Sequence, residues 1–565
     1  MSAVPSTRPV ISFASRDPAF RAYAQSLLRS RYRNDYDIVV CDTDELLDRL
    51  AAIRGEPTQI ALVLVAYGAG DDDGLELLGD ARRVEPSAQR AAVVKWGSFE
   101  RARAVFDAIA RGELDTYVVS TERPRDEEFH RAITDMLSQW MLGRESDFEA
   151  VWLIGSDTSP RANELRDLFT RNHIPIGFYD AESEQGRMRL ASVSLDARAL
   201  PVIVLQFTPE PRVLADPSNE DLADAFGLMA RPRPDEVYDV VIVGAGPAGL
   251  AAAVNAASEG LRTLVVETHA VGGQAGTSSF IRNYPGFVPG VSGTRLAFNM
   301  FQQAWSFGAT FFFMRRVTSV RSDSSGYALD LSDGSVVRTR SVVISSGVAY
   351  RPLGVPEVDA FVGRGVYYSA AVAEAPYLSG AHAYVVGAGN SAGQAVVHLA
   401  KFAAHVTMVV RDTNLGKSMS DYLIREITTS PNVTVRFSAE VTGARGDSRL
   451  DAIEVRDRST GVTEWADAAG LFVLIGALPG ADWMPDDIAR DEWGYVMTGR
   501  DLPADVSAGR EVLPLETTLP GVFAVGDIRR GSVKRVASAV GEGAMSIPYV
   551  HRHLDATRQS ALARR

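Results

Sequence analysis

The sequence predicts an α/β protein of several modules, and three observations lead there. The stretch 238–267, YDVVIVGAGPAGLAAAVNAASEGLRTLVVE, reads as apolar strand, glycine loop, small-residue helix and second strand. The same plan returns at 384–412, YVVGAGNSAGQAVVHLAKFAAHVTMVVRD, its first glycine 387 − 244 = 143 residues after the earlier one. Ahead of both, residues 9 to about 145 alternate short apolar strands with amphipathic helices.

Each part of the first unit has a physical job. Gly244 permits the tight turn, Gly246 lets a pyrophosphate approach the backbone, and Gly249 lets helix and strand pack closely. The helix start offers unpaired N–H groups and a positive dipole end to phosphate. Glu267 stands 267 − 246 = 21 residues past the second glycine, the spacing of an acid that accepts from ribose hydroxyls. Together these residues predict a bound dinucleotide.

Bulk composition narrows the classes. At 565 residues the chain should hold three or four domains, and 46% hydrophobic with 23% charged residues describes an ordinary soluble globular protein. A net charge of −13 argues against general binding to nucleic acid or anionic membranes. No long uncharged apolar run and no apolar leader are seen, so the expected location is cytoplasmic, with no membrane partner. The single cysteine, Cys41, provides no CxxC pair, and the eight histidines form no metal pattern.

In the N-terminal third, PVISFAS, DYDIVVC, IALVLVAY, RAAVVKW and LDTYVVS read as strands, with helices such as PAFRAYAQSLL between them. Their order resembles a flavodoxin-like response-regulator receiver domain, here over 1–146. The receiver's chemistry is missing: Ser15-Arg16-Asp17 follow the first strand, Ala66-Tyr67 end the third, and Ser120 stands where a lysine is expected. Asp71, Asp72 and Asp73 read as a solvated loop or helix start. Residues 147–230 resemble a thioredoxin or glutaredoxin fold in which Ser159-Pro160-Arg161-Ala162 replaces CxxC and Pro201 occupies the usual cis-proline place. Such a module cannot exchange thiols and is expected to dock, space or regulate rather than catalyse.

From Tyr238 onward the chain resembles low-molecular-weight thioredoxin reductases over about 330 residues. That resemblance implies FAD held by an FAD domain in two parts, 237–353 and 484–565, with an NAD(P)H domain at 354–483 between them. Gly273 and Gln274 would pass the FAD, and Asn283 in NYPG would lie near the flavin. Ser345-Ser346-Gly347 and Arg351 resemble the crossover between domains. Gly526 and Asp527 in PGVFAVGDI would meet ribityl or ribose hydroxyls. Arg535, Val536 and Ala537 begin a helix whose N–H groups would face the pyrimidine edge of the isoalloxazine.

In the second unit Gly387, Gly389 and Ala392 take the three small-residue places, with Asn390 and Ser391 opening the helix. Val410 stands where an acid would select NADH, and Arg411 follows it, with Lys417 farther on. These favour NADPH over NADH, against the opposing charge of Asp412.

The family's CxxC would fall at 369–372, but Ser369 and Val372 occupy the cysteine places. Tyr368, Ser369 and Val372 are therefore the candidate flavin-facing residues. Tyr368 is read either as a hydrogen-bond or proton donor or as a packed aromatic. Without paired sulfurs, electrons must pass to an external acceptor: a small molecule, a ferredoxin-like protein or O₂. A flavin-based redox sensor and a flavin-dependent monooxygenase are the alternatives. The resemblance also implies a homodimer, and the N-terminal modules imply a protein partner.

Overall fold

The computed structural model describes residues 8–563 except 55–57, 69, 97–101, 111–112, 122–125, 142–148, 157–158, 173, 194–199, 208–210, 227–232, 234–235, 279–280, 288–289, 325, 369–377 and 504–510. The chain begins with β1 (Val10–Ala14), α1 (Pro18–Tyr32), β2 (Asp37–Cys41), α2 (Leu46–Arg54), β3 (Ile60–Tyr67), α3 (Gly74–Val84), β4 (Gln89–Lys95), α4 (Ala102–Ala110), β5 (Thr116–Ser120) and α5 (Glu127–Met141). The five strands form one parallel sheet in the order β2-β1-β3-β4-β5. The apolar runs predicted as strands are these strands. β3, IALVLVAY, is buried along nearly its whole length because helices cover both sheet faces.

The next stretch holds β6 (Val151–Gly155), α6 (Pro160–Arg171), β7 (Ile176–Asp180), α7 (Glu184–Ser192), β8 (Val202–Leu205), β9 (Arg212–Ala215) and α8 (Asn219–Ala225). The sheet order is β7-β6-β8-β9, with β6 parallel to β7 and antiparallel to β8. The Leu200–Pro201 peptide is cis. Ser159 caps α6 by accepting from Ala162 N–H at 3.3 Å, and Pro160 sits at its first turn, where its missing N–H costs nothing.

Then come β10 (Val237–Val243), α9 (Pro247–Ser258), β11 (Thr263–Val266), α10 (Gly273–Gly276), α11 (Gly293–Ser306), β12 (Thr310–Phe312), β13 (Val317–Asp323), β14 (Gly326–Leu331) and β15 (Val336–Ile344). β16 (Val348–Tyr350), α12 (Pro356–Asp359) and β17 (Val366–Tyr367) follow. The second glycine unit is β18 (His382–Val386), α13 (Asn390–Leu399) and β19 (His405–Val409), continued by α14 (Asp421–Thr429) and β20 (Val433–Arg436). The remainder holds β21 (Ala439–Gly446), β22 (Leu450–Asp457), β23 (Thr463–Asp467), β24 (Gly470–Val473), β25 (Ala477–Pro479), β26 (Val522–Ala524) and α15 (Val536–Ala563).

Two compact units result: Met1–Arg144 with Glu374–Ala439, and Glu145–Ala373 with Glu440–Arg565. Residues 374–439 fall with the N-terminal module in the first unit, where α14 packs on α4 and Lys401 reaches Asp115 at 4.0 Å. In the second unit β12-β11-β10-β15-β14-β13 is one sheet, with β26 beside β15. The alanine-rich α9 lies on one face of that sheet, buried against α11 and α15. Its small side chains allow that close approach: a Cβ on Gly543 of α15 would sit against the Ala248 backbone.

Candidate functional site

The first glycine loop joins β10 to α9 in the second unit. Gly244 has φ +103°, and a Cβ there would lie 2.6 Å from Ser345 O, so only glycine fits. Gly249 faces the Gly244 carbonyl just as closely. Gly246 differs: it is the N-cap of α9, and a Cβ on it would meet nothing within 4 Å. That open space at a helix N-terminus is the cradle a pyrophosphate needs.

Two side chains, Glu267 and Ser345, hold the loop in place. Glu267, 8% exposed, accepts from Ala245 N–H at 2.6 Å through Oε2 and from His269 N–H at 2.9 Å through Oε1. Its oxygens keep further lone pairs for ribose hydroxyls. Ser345 Oγ lies 2.9 Å from the carbonyls of both Val243 and Gly244. Gln274, on the turn beside the loop, donates from Nε2 to Val348 O at 2.5 Å, which leaves its carbonyl oxygen for a ligand. Gly273 reaches Gly246 closely enough that a Cβ would lie 3.3 Å from Gly246 Cα. Asn283 is exposed in the segment after Ile281.

Asp527 follows β26 on the same side of the sheet. Its carboxylate takes no hydrogen bond from another described residue, and burial, with Glu542 adding to it, pushes its pKa up against the opposing pull of Lys534. A half-buried acid short of donors fits a ligand that brings hydroxyl groups. Glu542 braces the turn, accepting from Gly526 N–H at 2.7 Å and pairing with Arg529 at 2.6 Å. α15 starts at Val536, so the N–H groups of Val536 and Ala537, just past Arg535, lie in its first turn.

Asp527→Asn is therefore expected to act in opposite directions with and without ligand. A raised folded pKa means that the ionised carboxylate costs stability, a cost that grows as pH rises above the ordinary aspartate value of 3.8. Without flavin the amide should melt above the native protein at pH 7, and flavin affinity should fall. Paired melting curves of apoprotein and FAD-loaded protein check both signs.

The second glycine loop lies in the first unit. Gly387 has φ +142°, and a Cβ on Gly389 would meet nothing within 4 Å, the same open place as at Gly246. Asn390 Oδ1 accepts from Ser420 N–H at 2.7 Å, which ties the 418–420 loop to the start of α13. Ser391 is exposed and Ala392 buried against the sheet. Val410 is fully buried, whereas Arg411 and Lys417 are exposed. Asp412, expected to oppose a phosphate, is paired with Lys417 at 3.7 Å, so its charge is partly matched.

Residues 238–543, more than half of the chain, match the family profile described as pyridine nucleotide-disulphide oxidoreductase. The chain belongs to this family. Relatives include a thioredoxin reductase of Treponema pallidum (strain Nichols), 31% identical over 320 residues, covering 56% of this chain and 97% of that protein. The thioredoxin reductase of Bacillus subtilis (strain 168) is 31% identical over 333 residues, 58% of this chain and 98% of its own. Among solved structures, T. acidophilum thioredoxin reductase superposes with a TM-score of 0.51 at 26% identity, over 57% of this chain and all of its own. The chain is thus a flavin-dependent oxidoreductase of thioredoxin reductase-like fold, and the family uses FAD and NAD(P)H.

Of the three candidate flavin-facing residues, Ser369 and Val372 lie outside the described residues. Tyr368 is placed. Its hydroxyl donates to Asp359 at 2.8 Å and accepts from Leu353 N–H at 3.0 Å. Burial, with Asp359 adding to it, pushes its pKa up to about 12. Both bonds go to the chain itself. The adjacent Tyr367 stacks on Phe472 at 5.2 Å.

The N-terminal module holds one feature that sequence reasoning missed. A lysine at the strand ends is Lys95 of β4, 3.7 Å from Asp17, and not a residue of β5. Asp71 is 2% exposed and accepts from Ser15 Oγ at 2.7 Å and Arg16 N–H at 2.6 Å. Arg16 also pairs with Asp73 at 2.7 Å. The Arg16 guanidinium thus matches the charge of Asp73, while its backbone N–H bonds Asp71. Lys95 ends an apolar run, and only the sheet order shows that this run lies next to β3.

Proposed function

We propose that this protein takes hydride from NADPH onto FAD and passes the electrons to an external acceptor, without a disulfide of its own. The observation that carries the reading is the pairing of two open glycine cradles with a single sulfhydryl. The one cysteine, Cys41, is buried at the end of β2, and burial pushes its pKa up to about 11. It stays a thiol at neutral pH, and thiols are poor nucleophiles for exchange. When bound, FAD would supply the means to accept one hydride and release its two electrons singly or together.

The chain's own groups do the rest. Gly246 and the first turn of α9 hold the pyrophosphate, Glu267 the ribose, and Asp527 and the first turn of α15 the far end. Gly389 and the first turn of α13 hold the second nucleotide. Arg411 selects the 2′-phosphate by a charged fork that an amide lacks. Arg411→Gln is expected to lower kcat/KM for NADPH about tenfold, near the scale of one charge-assisted bond, and to leave NADH within about twofold. Steady-state kinetics with both nucleotides check this.

The sheet order of the N-terminal module supports the receiver-like reading, and the pairing of the Arg16 guanidinium with Asp73 supports the reading that it takes no phosphate. The β7-β6-β8-β9 order supports the thioredoxin-like reading of the second module. The acceptor is tested by turnover of the purified FAD-loaded protein with NADPH and ferricyanide, a ferredoxin or O₂. Sustained turnover with one of them supports the proposal; NADPH oxidation only in the presence of oxidised thioredoxin contradicts it. A redox-responsive regulator is the second reading. It is favoured by the contact of Asp115 with Lys401, which joins the N-terminal module to the 374–439 segment.

A further inference from the structure

A cavity of about 540 Å³ opens in the second unit between the 145–226 module and the first glycine unit. That volume is in the range of small-molecule sites, roughly 300–1,000 Å³. Thr268, His269 and Met314 form one wall, and Arg161, Asp216 and Asn219 form the other. The first wall is the pair of loops leaving the carboxyl ends of β11 and β12. Ligands of open parallel sheets lie off those ends. With pyrophosphate at the end of β10 and ribose at Glu267, the next place along the sheet edge, off β12, falls to the adenine.

From this placement we infer that the 145–226 module is part of the flavin site: it closes the adenosine end of the bound FAD. The inference rests on the FAD reading above and adds a wall to it. The module is joined firmly to that end. Met314 is 3% exposed, and its side chain lies in the module's own apolar core with Leu165, Phe169 and Leu222. Asn172 Nδ2 donates to His269 O at 3.2 Å, and Arg171 donates to Gly273 O at 3.0 Å. Ser332 Oγ donates to Glu220 at 2.8 Å.

Backbone strain gathers at the same place. Four non-glycine residues among those described have positive φ, and two of them, Asp216 at +43° and Met314 at +55°, line opposite walls of this cavity. Strained residues persist where surrounding contacts over-determine them, and ligand clamps are a frequent setting. On the module's wall Arg161 is held by Pro217 O at 2.6 Å and Asn219 Oδ1 at 2.9 Å, which fixes its guanidinium at the cavity. A module unable to exchange thiols would thus contribute by retaining the cofactor.

Two variants of the full-length protein test this by FAD exchange, followed as the fluorescence of released flavin. Arg161→Ala removes a fixed cation, and release should become roughly tenfold faster, the scale of one hydrogen bond to an ion. Asn219→Trp fills the cavity from the module's side and should weaken FAD binding at least as much. Far-UV circular dichroism and the apoprotein melting point identify a variant that has merely misfolded, and the other variant then decides. Release within about twofold of the native rate in a folded variant overturns the inference while leaving the FAD reading intact. A native protein that takes up no FAD overturns the functional reading itself, and this inference with it.

Discussion

Gly246→Asp is expected to give a folded, colourless protein. Gly246 caps α9 with φ −72°, a backbone that any residue adopts, and its missing side chain faces open space. Aspartate is among the preferred N-cap residues, so stability should hold or rise slightly. The same carboxylate would stand where the pyrophosphate belongs and would repel it. FAD affinity should fall at least ~100-fold, about 3 kcal/mol. The flavin absorbance of the purified variant, set beside its melting curve, separates lost binding from lost folding. Gly249→Asp makes the contrast: its side chain would meet the Gly244 carbonyl, so both readouts should fail together.

Asp115→Ala should be the most destabilising single change in the first unit. Arg90 is 2% exposed and donates to Asp115 from its backbone N–H at 2.9 Å, from Nε at 3.1 Å and from Nη2. Lys401 lies 4.0 Å away on the other side. Burial alone would push Asp115 up; Arg90 and Lys401 outweigh it and hold the carboxyl at about 2. Burial pushes Lys401 down. Removing the carboxylate leaves a buried guanidinium uncompensated, at a cost of about 3–5 kcal/mol. The folded pKa of Asp115 is depressed, so its contribution is present above the unfolded value of 3.8 and is lost as pH falls toward 2. Denaturant unfolding at pH 7 and at low pH should show a gap between native and variant protein that narrows in acid. Exchanging Arg90→Met, Asp115→Leu and Lys401→Met together should recover much of the loss.

Local signals made the cofactor units readable from sequence. A glycine at positive φ, a helix opening on small residues and an acid at fixed spacing act within about thirty residues; Gly244 makes the tight turn, Gly249 the close approach, and Glu267 is bonded to the loop at Ala245 N–H. The strands of the N-terminal sheet were equally legible from apolar runs such as IALVLVAY. What escaped depends on partners distant in the chain. Met314 reads as the end of an aromatic strand, and nothing local shows that it enters the core of residues 145–226. Lys95 is one lysine after a hydrophobic run until β4 is known to lie beside β3. Tyr368 reads as a candidate donor because its neighbours in sequence carry the chemistry, whereas its hydroxyl is held by Asp359 and Leu353.

The central claim, a flavin without an internal dithiol, has a direct electron count. The FAD-loaded protein, titrated with NADPH under anaerobic conditions, should consume one equivalent per bound flavin to complete bleaching and take up no more. Uptake of a second equivalent, or catalytic reduction of a disulfide substrate, would contradict the account.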